Sequence, residues 1–272
     1  MRSLSAGAPP ETYFTSQAAF PMLVLPWWLE TEIAGAPDPA FQGDVVYSTI
    51  SGYYFVRMVD DIMDRERPPD AAVVPALIVL HTEFQLAYQR HFVSDDPFWE
   101  AFAGLSFGAA EMASVDAALT RIDRTTFMRV SARKTAGAKV PIAAVCHRYR
   151  RPELLEPWSA FIDLLGCWHQ MLNDIRGWHR DLEAGRATYF LSEADARRGS
   201  AGSVSDWIVT EGLEWGFSTL DGWMDEMLAA GGRLGCRPLV AYLEERGRSL
   251  QAERDALRPA LAALERLSAA MR

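Results

Sequence analysis

Apolar positions recur three and four residues apart along most of this chain, the spacing of helices that bury one face. Phe41, Val45, Val46, Ile50, Tyr53, Tyr54 and Val56 predict a helix that ends before Pro68-Pro69-Asp70, since proline cannot continue a helix and biases the residue before it away from one. Leu77, Leu80, Phe84, Leu86 and Tyr88 predict a second helix over 71–92. Ser94-Asp95-Asp96-Pro97 is a helix-start signal, and a third helix follows to about residue 119. Residues 120–149 read as a fourth, interrupted near Gly137 and Pro141. The stretch 152–185 carries Leu155, Trp158, Ile162, Leu165, Met171, Leu172 and Ile175 at helical spacing. A loop rich in glycine, serine and charge is expected over 187–205, then a helix over 207–228. After a break from Gly231-Gly232 to Pro238, an amphipathic helix runs over 239–271 and is expected to kink at Pro259. Residues 1–16 look like a loosely ordered leader, and 11–32 are apolar with proline interruptions.

Strand signals are nearly absent: no β-branched run alternates, and no Asn-Gly hairpin occurs. Nothing repeats internally, and no linker is long enough to separate domains. The expectation is a single all-α domain over 1–272, with about eight main helices bundled around a central cavity.

Composition narrows the function classes. With 49% hydrophobic and 23% charged residues the chain can bury a substantial core. A net charge of −9 argues against nucleic acid, which calls for a basic footprint. No run approaches the roughly 18 apolar residues of a membrane helix, and Pro21 and Pro26 break the most apolar one. The expected location is the cytoplasm. Cys146, Cys167 and Cys236 form no disulfide framework and lack zinc-finger spacing; buried free thiols are the expectation.

Candidate chemistry concentrates in two stretches. Asp60, Asp61 and Asp64 follow the apolar run of the first helix and share a face; Tyr53 lies two turns before Asp60, and Arg57 lies between Tyr53 and the aspartates. Like charges so spaced cost roughly 0.2–0.5 kcal/mol per pair, and more beside apolar surface. A hard divalent cation such as Mg²⁺ would remove that cost through oxygen ligands; an exposed acidic helix end is the competing reading. In the second stretch, Asn173, Gly177, Arg180 and Asp181 fall on a face about 100° wide. Asn173 and Asp181 could hold a second metal site there, and Arg180 and Arg186 a diphosphate. Between the two, Arg129 and Arg133 lie one turn apart, either for phosphate contacts or as a solvated basic face.

An Asp-rich helix followed after a long helical interval by an Asn-Asp helix ending in Arg180-Asp181 resembles the class I isoprenoid synthases. Asp60, Asp61 and Asp64 match their DDxxD motif. Asn173 and Asp174 match the terpene-cyclase pattern NDxx(S/T)xxxE, which the chain leaves at Gly177 and Asp181. A second alignment resembles squalene and phytoene synthases: Arg57 to Asp64 fits RxxDDxxD, and Gln170, Asn173, Arg176, Asp181, Gly185 and Arg186 fit QxxNxxRDxxxDxxxGR, again departing at Gly177.

The resemblance implies a class I isoprenoid synthase-like fold and three Mg²⁺ ions held with a substrate diphosphate. It implies roles for Asp60, Asp61, Asp64, Asn173 and Asp181 at metal, and for Arg129, Arg133, Arg180 and Arg186 at diphosphate. Asp60, Asp61, Asn173 and Arg180 are the expected catalytic residues. Tyr53 is expected to face the cavity, and 187–205 to act as a lid. The reaction implied is ionisation of an allylic prenyl diphosphate, followed by cyclisation or rearrangement of the carbocation and release of pyrophosphate. Head-to-head coupling of two prenyl diphosphates and a non-catalytic diphosphate-binding protein stand as alternatives. Chain length and product are open, as is the oligomeric state, with a homodimer among the options.

Overall fold

The first long helix is bounded as its sequence asks: Asp38 Oδ1 accepts from the backbone N–H groups of Ala40 and Phe41 at the helix start, leaving fewer orphan donors in the first turn. A computed structural model of the protein describes residues 10–15, 19–63, 73–116, 119–199 and 202–270. In chain order the helices are α1 (Pro10–Thr15), α2 (Leu25–Ala34), α3 (Pro39–Met63), α4 (Val73–Gln89), α5 (Phe98–Asp116) and α6 (Arg124–Lys134). A 3-10 turn, Thr135–Lys139, joins α6 to α7 (Val140–Arg148); α8 (Leu155–Glu183) and α9 (Tyr189–Arg197) follow. The last three are α10 (Val204–Trp207), which runs through a π-helical turn, Ile208–Gly212, into α11 (Leu213–Leu234), and α12 (Arg237–Ala270). The protein is all-α, with no strand among the described residues.

The chain divides into two compact units, Met1–Ala118 with Ala132–Asp163, and Leu119–Ser131 with Leu164–Arg272. In the first, α3 lies along α4, while α5 packs on α7 and the 3-10 turn. Gly52 makes the α3–α4 approach possible: a Cβ there would sit 2.9 Å from the Phe84 ring. Phe84, Tyr88, Phe92, Phe98 and Phe102 form the aromatic core, with the Phe92 and Phe98 rings stacked at 4.1 Å. The same unit holds a polar network that runs from buried Glu30 and Gln42 to part-buried groups. Gln42 donates to Glu30 at 2.6 Å, Tyr149 donates to the same carboxylate, and Arg148 reaches Asp38.

In the second unit α11 packs on α12. Phe127 sits between Tyr189 and Trp223, with ring centroids at 4.8 and 5.9 Å. Trp168 donates its indole N–H to the Leu220 carbonyl at 3.1 Å and carries the Arg246 guanidinium over its ring, 5.2 Å from the centroid. Burying both polar and apolar parts of such side chains requires these partners.

Three expectations change. The 187–205 stretch is not a loop throughout: α9 fills its first half, because the Thr188 hydroxyl caps it by accepting from the Leu191 N–H, and Tyr189, Phe190, Leu191 and Ala194 are buried. A capping box of Ser203 and Asp206 then starts α10 ahead of the expected position. Of the 1–16 leader, residues 10–15 are helical, anchored by Phe14 packed edge-on to Tyr53 and Tyr54; the remainder lies outside the described residues. Pro259 lies inside α12, which continues to Ala270. No helix among the described residues is long and apolar enough to cross a membrane.

Candidate functional site

The acidic end of α3 is built on an amphipathic helix whose apolar residues hold it against α4. Asp60 is half-buried and Asp61 is only 7% exposed. Burying a carboxylate requires compensation, and Arg57, one turn earlier, brings Nη2 to 3.0 Å from Asp61 Oδ1. That approach matches charge without matching hydrogen-bond direction: Asp61 Oδ1 is buried and accepts no hydrogen bond. Asp64, the third carboxylate of the motif, lies outside the described residues. Tyr53 is half-buried two turns before Asp60, and its hydroxyl pairs with that of Tyr13. Burial first, then the Tyr13 hydroxyl, raises the Tyr53 phenol above its ordinary pKa range, so it stays neutral.

The second motif lies on α8. Burial splits the face that the sequence grouped together: Asn173 and Arg180 are exposed, while Asp181 is buried, as is Asp174 beside Asn173 in the chain. Gln170 donates from Nε2 to Asp174 Oδ1 at 2.8 Å. Asp181 gathers the basic groups: Arg180 Nε stands 3.5 Å and Arg186 Nη1 4.0 Å from Oδ1, and the Arg186 backbone N–H donates to the Asp181 carbonyl at 2.8 Å. Gly177 is crowded by its own helix neighbours. A Cβ there would meet Arg180 Nη2 at 3.0 Å and Asp181 Oδ2 at 3.1 Å. Arg176 is engaged elsewhere, donating from Nε to Glu253 at 2.9 Å, and that pairing holds the Glu253 carboxyl below its ordinary range.

Arg129 and Arg133 are both exposed on α6. Arg133 stands 3.7 Å from Glu111. It also borders a cavity of about 850 Å³ in the first unit, lined with Gly104, Leu105, Phe107, Gly108, Ala136, Lys139 and the same Glu111. Lys139 is paired with Asp163 at 2.5 Å. Burial raises the Asp163 carboxyl pKa despite that lysine. The cavity therefore combines an apolar wall with an edge of paired charges.

Among the described residues, no three His, Cys, Asp or Glu side chains gather into a metal-holding group. What the α3 end does offer is hard oxygen donors, with one buried carboxylate oxygen lacking a hydrogen bond, and that donor chemistry fits Mg²⁺. Sequence reasoning gave Arg57 no role and passed over the Gln170–Asp174 pair. In both cases the signal was an i,i+4 spacing of opposite or complementary groups. Comparison with known protein families and with curated proteins brought no match.

Proposed function

We propose that the chain is a Mg²⁺-dependent class I terpene synthase that ionises an allylic prenyl diphosphate and cyclises or rearranges the resulting carbocation. The observation that supports this most is Asp61: a buried carboxylate, charge-matched by Arg57, with an oxygen that accepts no hydrogen bond. A helix keeps such a group at a cost, and a hard cation is the ligand that suits it.

In this reading Asp60, Asp61 and Asp64 are the Mg²⁺ ligands of the first motif, and Asn173 and Asp181 those of the second. When bound, the metal supplies neutralisation of the charge on a departing diphosphate. The carbon–oxygen bond of the allylic diphosphate breaks, and its electron pair leaves with the diphosphate. Arg180, Arg186, Arg129 and Arg133 are the residues available to take that negative charge through charge-assisted hydrogen bonds. The apolar wall of the first-unit cavity, beside Arg133, suits the hydrocarbon of an amphiphilic anion. Neutral Tyr53 can present an aromatic face to a cation without being lost as phenolate.

The experiment is incubation with geranyl, farnesyl and geranylgeranyl diphosphate separately, with and without a nicotinamide reductant. A product with the carbon count of its substrate is the expected result. A product of twice that count, above all one that needs reductant, transfers the chain to head-to-head coupling. Diphosphate binding without any product points to the non-catalytic alternative.

A further inference from the structure

We infer that Arg57 is a resident counter-ion that a divalent cation displaces before Asp61 can serve as a metal ligand. The inference rests on the reading above and assigns Arg57 a positioning role within it.

Asp61 is nearly buried, and its side chain is 9% exposed, while that of Arg57 is 41% exposed. The two partners are therefore unequal. The carboxylate is fixed in place by its surroundings on α3, whereas the guanidinium ends a long stem with access to water. Arg57 Nη2 reaches the oxygen that accepts no hydrogen bond, at 3.0 Å. A metal ion binding at that oxygen would meet the positive guanidinium at the same place. Two cations on one carboxylate oxygen repel, and the water-accessible one gives way. In the metal-free protein the pair offsets the like-charge cost of the aspartates on this face. Arg57 thus lowers metal affinity in exchange for keeping the site ready.

Mn²⁺ binding followed by electron paramagnetic resonance at pH 8 tests this, with and without inorganic pyrophosphate. The proteins compared are wild type, Arg57→Gln, Arg57→Lys and Asp61→Asn. Without pyrophosphate, Arg57→Gln is expected to bind Mn²⁺ about fivefold more tightly than wild type, the scale of a partly exposed ion pair. Arg57→Lys should stay near wild type, because it keeps the competing charge. Adding Asp61→Asn to Arg57→Gln should remove the gain. If Arg57→Gln binds equally or more weakly while Asp61→Asn weakens binding, the counter-ion role is overturned and the metal-binding reading of Asp61 stands. If Asp61→Asn matches wild type even with pyrophosphate, Asp61 is no metal ligand, and the functional reading falls together with the inference. Arg57→Met, which keeps the apolar stem, replaces Arg57→Gln if circular dichroism shows the latter unfolded.

Discussion

A side chain at position 177 would press on Asp181: a Cβ built on Gly177 lies 3.1 Å from Asp181 Oδ2. The other neighbour, Arg180 Nη2 at 3.0 Å, ends an exposed side chain and can swing away. Asp181 is buried and has less room. Gly177→Ala should therefore separate stability from function. Replacing glycine inside a helix gains roughly 0.5–1 kcal/mol, which offsets a small displacement of the carboxylate. The expected outcome is a melting temperature equal to or above wild type, with pyrophosphate release reduced severalfold. Unchanged release would show that the position of Asp181 does not matter to turnover.

The pH dependence of stability should centre on His169. Burial first, then the charges of Arg246 and Arg176, depress its pKa from 6.5 to about 3. The folded value lies below the unfolded one, so the unfolded chain binds the proton more readily. The contribution is fully present above the unfolded pKa and is lost as pH falls from 6.5 toward 3. At about 1.4 kcal/mol per unit, the loss is on the order of several kcal/mol over that window. Thermal melts at pH 7 and pH 4.5 check this: His169→Gln should lose less melting temperature between the two than wild type. Equal losses would contradict a buried neutral histidine.

Lys139 and Asp163 offer a test beside the first-unit cavity. With Lys139 11% and Asp163 34% exposed, solvent screens the pair in part. Lys139→Met leaves a carboxylate that burial already disfavours and should destabilise by about 1–3 kcal/mol. The Lys139→Met, Asp163→Leu double variant should be less destabilised than Lys139→Met alone, because no orphan charge remains. Urea unfolding of both variants measures the difference; a double variant less stable than the single one would contradict the argument.

Helix type was legible wherever the apolar period was long. The run from Phe41 to Val56 predicted α3, and Leu155 to Ile175 predicted α8, since in each a continuous stripe needed burial. The break at Gly137 and Pro141 was legible too, as a 3-10 turn meeting a proline at the start of α7. The helix Tyr189–Arg197 was not, because the glycines and serines just after it dominate the stretch and its evidence is a cap, Thr188, whose effect depends on the burial of Tyr189 and Phe190. At the site, motif spacing placed Asp60 and Asp61 on one helix end and Asn173 and Asp181 on another. Spacing alone does not report burial. It grouped exposed Asn173 and Arg180 with buried Asp181, and it gave no sign that Arg180 and Asp181 crowd Gly177.

The central claim is that Asp61 serves Mg²⁺-dependent departure of diphosphate from an allylic substrate. Pyrophosphate release from farnesyl, geranyl and geranylgeranyl diphosphate, measured for wild type and Asp61→Asn with Mg²⁺ or with EDTA, tests it most directly. The account predicts release by wild type from at least one substrate with Mg²⁺, none with EDTA, and little from Asp61→Asn despite an unchanged helical circular dichroism spectrum. Release that persists in EDTA, or an Asp61→Asn variant with wild-type turnover, would contradict it.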